Sequence, residues 1–346
     1  MNKPFLTLAP MRGITTMHYR KAFVRRFGGL DAIMAPFITT VSADRINPKL
    51  LKDVLPENNP GLPLIPQLLG KDAAEFIRMS RALHDLGYEE INWNLGCPHK
   101  PVRNKGRGAG LLPHPETVDA LLERICAESP VKISVKVRLG INDPSDLMKL
   151  IPVLNRHPLS EVIIHPRTAE QMYDGAVDLD AFAEAYAQIN HPVCYNGDIH
   201  SLDVFQTLEA YCIGTHKRPV ARQDAPPLRR EALCPDAVGF QPLERFMLGR
   251  GLLANPFLCE IIKSGNPDIE NAVERLRDFH DDVFENYRTV IDGDLPMLGK
   301  MKEFWSYPAQ HLSNGRKFFK KISKCHRQKT YQEIVNEFMA DAEWTA

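Results

Sequence analysis

Short apolar runs alternate with amphipathic segments over the first three quarters of the chain, and this alternation constrains the fold more than any other feature of the sequence. Segment 73–86 illustrates the amphipathic type, because Phe76, Met79 and Leu83 recur at the spacing of one helix face. Strand-like runs separated by such segments are typical of parallel β/α units. The predicted strands are residues 5–9, 32–37, 64–69, 90–95, 133–138, 161–165, 193–196 and 245–249.

Eight predicted strands match a (β/α)8 TIM barrel, a fold of typically about 250 residues. An open, doubly wound sheet is the alternative, but it usually carries a Gly-x-Gly-x-x-Gly turn after its first strand. Here the first strand runs into Ala9-Pro10-Met11-Arg12-Gly13, which lacks that pattern. We therefore expect an α/β protein with a TIM barrel over residues 1–260 and a small all-helical C-terminal domain over residues 261–346.

Two segments depart from the barrel rhythm. Residues 212–242 contain five prolines and five basic residues, and they predict a long insertion before the last strand. Beyond it, residues 265–295 contain nine acids and three bases, whereas residues 296–330 contain nine bases and one acid. This separation of charge predicts one acidic and one basic face on the C-terminal helices.

The overall composition excludes several classes of protein. The formal net charge is zero, so total charge favours no particular partner. The seven cysteines are widely spaced, with no Cys-x-x-Cys pair, and this pattern indicates free thiols in a reducing compartment and no metal site. Because no apolar run reaches the length of a membrane span, we expect a cytoplasmic protein without a membrane segment, and we expect a monomer.

Polar side chains recur where the predicted strands end, which is the end of a TIM barrel that carries function. A single such residue is more often structural, but seven strand ends of this kind indicate a functional site. Glycines in Gly249-Arg250-Gly251 would let a phosphate approach the backbone, although a plain tight turn is the alternative. The residues concerned are Pro10, Met11, Arg12, Gln67, Asn94, Cys97, Lys136, Arg138, His165, Arg167, Asn196, Gly197, Asp198, Gly249 and Arg250.

These residues lie in motifs that resemble the tRNA-dihydrouridine synthases. The most specific part is Asn94-Leu95-Gly96-Cys97-Pro98, followed by the glycine-rich loop Lys105-Gly106-Arg107-Gly108. Further motifs follow in the family's order along residues 4–260. They are Ala9-Pro10-Met11, Val135-Lys136-Val137-Arg138, His165-Pro166-Arg167-Thr168, Asn196-Gly197-Asp198 and Gly249-Arg250-Gly251.

The resemblance implies FMN as the cofactor, reduced by NADPH, with NADH as an alternative reductant. By position, Pro10, Met11 and Arg12 would line the flavin ring system. Gln67, Lys136 and His165 would bond its polar edge. The residues that would bind the ribityl phosphate are Asn196, Gly197, Asp198, Gly249 and Arg250.

The resemblance also implies reduction of the C5–C6 double bond of uridine in tRNA. Hydride would pass from the flavin to C6, and the Cys97 thiol would donate a proton to C5, which a thiol that is protonated near neutral pH can do. Asn94, Lys105, Arg138 and Arg167 would contact the substrate. The basic, aromatic-rich C-terminal segment would bind RNA, or its aromatics would pack in the core beneath a solvated basic face.

Other interpretations remain at this point. The chain could be a different FMN-dependent barrel reductase that acts on ribosomal RNA or on a small pyrimidine, or it could be a non-catalytic RNA-binding relative. Arg12 stands where family members often carry a small or acidic residue, and the insertion at 212–242 lies outside the usual pattern. The sequence does not predict which uridine is modified.

Overall fold

A computed structural model describes residues 3–43, 45–61, 63–213 and 243–345. Its centre is a single sheet of ten parallel strands, and every one of the eight predicted strand positions carries strand structure. The strands are β1 Phe5–Leu8, β2 Ala32–Met34, β3 Ile38–Thr39, β4 Leu64–Ile65, β5 Gln67–Leu69, β6 Glu90–Leu95, β7 Lys132–Arg138, β8 Leu159–His165, β9 Val193–Tyr195 and β10 Arg245–Leu248.

The ten strands occupy only eight strand positions, because β2 and β3 are two halves of one interrupted strand and β4 and β5 are two halves of another. These halves pair with each other and with their outer neighbours, and in this way the sheet closes into a barrel. Pro66 divides β4 from β5, so one extended segment pairs with β2 through Leu64 and with β6 through Gln67. Proline has no N–H to donate, but the Pro66 carbonyl still accepts a bond of 2.9 Å from the Asn92 N–H. Elsewhere β1 pairs with β10, joining Phe5 to Arg245. The fold is therefore the predicted TIM barrel, followed by C-terminal helices.

Helices cover the outside of the barrel and form the C-terminal region. The predicted helix at 73–86 is observed at Ala73–Asp85, whereas the first helix was not predicted. The helices are α1 Met17–Arg26, α2 Ala73–Asp85, α3 Lys100–Arg103, α4 Pro115–Glu128, α5 Ser145–Leu154, α6 Leu179–Gln188, α7 Leu202–Ile213, α8 Arg250–Ala254, α9 Leu258–Ser264, α10 Ala272–Arg288, α11 Asp294–Trp305, α12 Gly315–Ile322 and α13 Gln328–Asp341.

The junction between α1 and α10 attaches the C-terminal helices to the barrel. Phe279 of α10 packs edge-on against Phe23 and Phe27, with ring centroids 5.8 and 5.0 Å apart. Around these rings Arg26 contacts both Asp278 and Asp282 at 2.5 Å. Part of the predicted acidic face therefore binds the barrel instead of facing solvent.

Two further sequence predictions concern the insertion and the membrane segments. Residues 214–242, which form most of the predicted insertion, lie outside the described residues. Within the described ranges, none of the helices is both long and apolar enough to cross a membrane.

Candidate active site

A cleft of about 1190 Å³ opens at the carboxyl ends of the barrel strands. This is larger than most small-molecule pockets, which measure roughly 300–1,000 Å³. The barrel loops supply most of its wall, and the C-terminal region adds Tyr307, His311 and Arg316. The predicted residues that line it are Pro10, Met11, Arg12, Asn94, Cys97, Lys136, Arg138, His165, Asn196, Gly197, Asp198, Gly249 and Arg250.

Cys97 is presented to the cleft by a tightly folded turn at the end of β6. The Asn94 side-chain Oδ1 accepts hydrogen bonds from the Gly96 N–H at 3.1 Å and the Cys97 N–H at 2.8 Å. Gly108 packs against this turn with φ of 58°, and a Cβ there would lie 2.9 Å from the Cys97 Cβ. The half-buried thiol is therefore fixed by its neighbours on both sides.

A buried amide network supports this turn from inside the barrel. The Asn94 Nδ2 donates to Gln67 Oε1 at 2.8 Å, and the Gln67 Nε2 donates to Asn92 Oδ1 at 2.8 Å. Gln67 is fully buried and does not line the cleft, although the sequence suggested a contact with the cofactor. In this arrangement Gln67 orients Asn94, whose side chain in turn shapes the Cys97 turn.

Two cationic side chains, Lys136 and Arg138, lie on β7, the strand beside the Cys97 turn, and neither has a carboxylate bound to it among the described residues. Burial, together with the nearby charge of Arg138, lowers the pKa of Lys136 to about 7. Burial also lowers the pKa of Arg138, to about 10. Asp198 is the single acid among the described residues that line the cleft. The cleft is therefore suited to a ligand that carries negative charge.

His165 is a neutral side chain in this cleft. Burial lowers its pKa well below the usual value, and the charges of Arg138 and Lys136 act in the same direction. The Arg167 Nη1 lies 3.3 Å from His165 Nε2, and because an arginine can only donate, that nitrogen accepts. The ring proton is therefore assigned to Nδ1, which leaves His165 with one donor of its own.

The loops after β9 and β10 approach each other closely at the side of the cleft predicted to bind phosphate. A Cβ on Gly251 would lie 2.0 Å from the Ile199 carbonyl, so only glycine fits there. Asn196 Nδ2 joins the two loops through a 2.8 Å bond to the Met247 carbonyl. Arg250 Nη2 lies 3.3 Å from Asp198 Oδ1, so its guanidinium stays beside the glycine turn.

Two predicted substrate contacts do not line the cleft. Arg167 is buried beneath it and is paired with Asp198. Lys105 is exposed on the loop that packs against Cys97. Of the other cations on that loop, Arg103 is bound to Glu170 at 2.8 Å and to the Pro98 carbonyl at 2.8 Å, so it anchors the loop.

The sequence did not point to two aromatic residues of the cleft, Tyr173 and Phe37. Tyr173 lines it from a loop outside the predicted sites, and Phe37 lies under the exposed guanidinium of Arg12, with 5.5 Å between the ring centroid and Cζ. Tyr307, one of the aromatics in the basic C-terminal segment, also lines the cleft. By contrast, the C-terminal aromatics Phe304, Trp305, Phe318 and Tyr331 are buried in the core, as the second alternative for that segment predicted. Among the described residues no cluster of side chains could bind a metal ion.

Comparisons with known proteins identify the family to which this chain is similar. The family model described as Dihydrouridine synthase (Dus) matches residues 7–215. A probable tRNA-dihydrouridine synthase of Rhodobacter capsulatus is 32% identical over 57% of this chain, and the alignment spans 60% of that relative. A tRNA-dihydrouridine(16) synthase of Haemophilus influenzae is 26% identical over 95% of this chain and 98% of that relative.

Among solved structures, histamine dehydrogenase from Rhizobium sp. 4-9 has a TM-score of 0.53 at 10% identity, covering 83% of this chain and 49% of that one. This likeness supports the fold alone. The family model, in contrast, covers more than half of the chain, including the Cys97 turn and the strand ends up to Asp198. This chain therefore belongs to the dihydrouridine synthase family.

Proposed function

We propose that this protein reduces the C5–C6 double bond of a uridine in tRNA, using FMN as cofactor, NADPH as reductant and Cys97 as proton donor. One observation carries the proposal. A half-buried thiol shares one cleft of about 1190 Å³ with Lys136 and Arg138, which pair with no carboxylate among the described residues, and this cleft has room for a flavin and a nucleobase. The family membership supplies the reaction class.

The residues of the cleft fit a phosphate-bearing flavin. At one side, Gly251 brings two loops together beside Arg250, which suits the ribityl phosphate. At the centre, Lys136 and the neutral donor His165 suit the polar edge of the ring system, and Pro10 and Met11 offer apolar contact. When it is bound there, reduced FMN would supply the hydride for C6 of the uracil.

The side chains of this chain would supply the remaining chemistry. Negative charge that develops at uracil C5 and O4 would be stabilised by Lys136 and Arg138, both within electrostatic range of Cys97. Cys97 would give its proton to C5, and the resulting thiolate would regain a proton from solvent. Asn94 retains one N–H that the described hydrogen bonds leave free to contact a uracil carbonyl.

The RNA would be bound by exposed cations around and beside the cleft. A base must leave its stack to reach this depth, which costs a few kcal/mol and least in a loop. Arg316 at the rim and Lys105 on the Cys97 loop would contact the backbone, together with the groove that Lys317, Lys320 and Lys324 line on the C-terminal helices. We assign catalysis to residues 1–260 and RNA binding to residues 261–346 of a cytoplasmic monomer.

The test is direct formation of dihydrouridine by the purified chain. With FMN, NADPH and an unmodified tRNA transcript, the wild type should produce dihydrouridine, whereas Cys97→Ala should be slower by about 10²–10⁴-fold because the general acid is lost. Flavin binding should persist in the variant. Mapping the product on the transcript would identify the position that is modified.

The matched control is Cys126→Ala, another half-buried thiol, on α4 away from the cleft. Burial raises the pKa of Cys126 to about 11, and the control should react at the wild-type rate. A Cys97→Ala enzyme as fast as the wild type would contradict the proton-donor role. A wild type that binds no flavin would contradict the proposed function as a whole.

A further inference from the structure

Arg167 is a buried arginine that joins the loops after two neighbouring strands, β8 and β9, at the edge of the cleft. Its side chain is 2% exposed, which means that each of its donors needs a partner within the protein. Towards the loop after β8, its Nε and Nη2 donate to the Gly175 carbonyl at 3.2 and 2.6 Å. Towards the loop after β9, it donates to both carboxylate oxygens of Asp198, through Nη1 at 3.0 Å and through Nη2.

The Gly175 contact fixes a loop that carries an exposed aromatic residue of the cleft. Tyr173 lies two residues before Gly175 and is 48% exposed at the cleft wall. The guanidinium carbons of Arg138 and Arg250 lie 5.4 and 4.8 Å from its ring centroid. Two cations therefore lie against the ring, while part of it stays open to the cleft.

The Asp198 contact fixes the loop at the proposed phosphate side. Asp198 has φ of 32°, a conformation that is uncommon outside glycine and that its surroundings must stabilise. It also accepts from Arg250 Nη2 at 3.3 Å, and Arg250 is one of the two cations against Tyr173. The contacts thus form a closed circuit through Arg167, Asp198, Arg250, Tyr173 and Gly175.

We propose that Arg167 is a positioning residue that couples the flavin-phosphate side of the cleft to Tyr173 on the cleft wall, where RNA would contact it. This inference rests on the proposed function, since it takes FMN and RNA as the two ligands. A phosphate that binds beside Arg250 would order that side chain, and the fork of Arg167 keeps Asp198 and Gly175 from moving in response. Tyr173 is then ordered before RNA arrives, so RNA binding costs less conformational entropy.

The expected sign is positive coupling between the two ligands. Loading the full-length protein with FMN should tighten its binding of an unmodified tRNA transcript by about 5–150-fold, the usual range for coupled sites. Arg167→Lys keeps the charge but loses the planar fork that contacts both loops. In that variant FMN and RNA should each still bind, and the tightening by FMN should fall to near onefold.

The measurement is the RNA dissociation constant with and without FMN, in the absence of NADPH. Arg156→Lys is the matched control, because Arg156 forms an exposed pair with Asp119 at 2.6 Å, on the outside of the barrel. It should keep the wild-type coupling. If Arg167→Lys does not fold, Asp198→Asn removes the same ion pair with almost no change of shape and should also abolish the coupling.

The outcomes separate this inference from the proposed function. Two outcomes would overturn the coupling role of Arg167 but not the proposed function. One is equal coupling in the wild type and in the variants, and the other is a wild type whose RNA affinity does not change with FMN. A variant that weakens both ligands but keeps the coupling factor shows a structural role only, and this also overturns it. A wild type that binds neither FMN nor RNA overturns both proposals.

Discussion

Basic side chains gather both at the junction between α1 and α10 and in the cleft. The two regions differ in whether carboxylates pair with these charges. At the junction, Arg26 contacts two aspartates, and Arg275 contacts Glu260 through both nitrogens of its fork, at 2.6 and 3.0 Å. In the cleft, Lys136 and Arg138 have no carboxylate partner among the described residues.

This difference distinguishes charges that stabilise the fold from charges that are available to bind a ligand. A paired, hydrogen-bonded charge contributes to folding, whereas an unpaired and desolvated one opposes it and is typical of functional sites. The junction should therefore be sensitive in stability and the cleft should be sensitive in binding.

Lys136→Met should weaken FMN binding by about 10–100-fold, because it removes a charged hydrogen-bond donor worth roughly 1.5–3 kcal/mol. The same change should leave the unfolding free energy of the flavin-free protein unchanged or raise it, since a desolvated cation is removed. Flavin fluorescence titration and chemical denaturation measure the two quantities. A clear loss of stability with unchanged affinity would reverse the comparison.

Glu260→Gln should lower the unfolding free energy by about 1–2 kcal/mol, because the carboxylate accepts from Arg275 and from the Gly28 N–H at 2.8 Å. FMN affinity should stay at the wild-type value. Glu285→Gln removes an exposed pair with Arg288 in the same helix and should show no measurable change in denaturation. If both variants lowered the unfolding free energy equally, the burial of the junction pair would not be the reason that it stabilises the fold.

The pH dependence of FMN binding should report on Lys136. Burial lowers its pKa to about 7, so the group is charged below that pH and loses its proton as the pH rises. FMN affinity should be constant below pH 7 and fall above it, by up to roughly tenfold per pH unit. In Lys136→Met, FMN affinity should depend less on pH, as measured by FMN titration from pH 6 to pH 9.

The same group affects stability with the opposite sign. Unfolding returns Lys136 to its ordinary pKa of 10.5, so between about pH 7 and pH 10 the unfolded chain binds more protons. Its contribution to the unfolding free energy of the flavin-free protein therefore rises with pH over that window, while FMN affinity falls. Denaturation of the wild type and of Lys136→Met at each pH isolates this difference.

The strand positions were predictable because buried parallel strands are continuous apolar runs. The interruptions at Pro36 and Pro66 were less accessible, since a local proline does not reveal which neighbour each half of the strand will pair with. Helix α1 was missed because basic residues interrupt its apolar pattern, and one of them, Arg20, is fully buried. Arg20 is satisfied by Asp53 and Asn59, partners more than 30 positions away in the sequence.

The residues of the candidate site were likewise predictable where a local motif identifies them, and not where distant packing places them. Residues in motifs, such as Cys97 and Lys136, were found because their types and order carry the information. Tyr173 was not found, because only the packing of its loop brings it to the cleft. Arg167 was found but was assigned to the substrate, since a sequence cannot show that its fork is already occupied by Asp198 and Gly175.

The aromatic contact between α1 and α10 also has a consequence for synthesis of the chain. Ribosomes add roughly 5–20 residues per second, so α1 emerges on the order of 10–50 s before α10 is complete. During that interval Phe23 and Phe27 lack the ring of Phe279 that later covers them. The nascent barrel therefore carries an exposed apolar surface at α1 until α10 has been made and covers it.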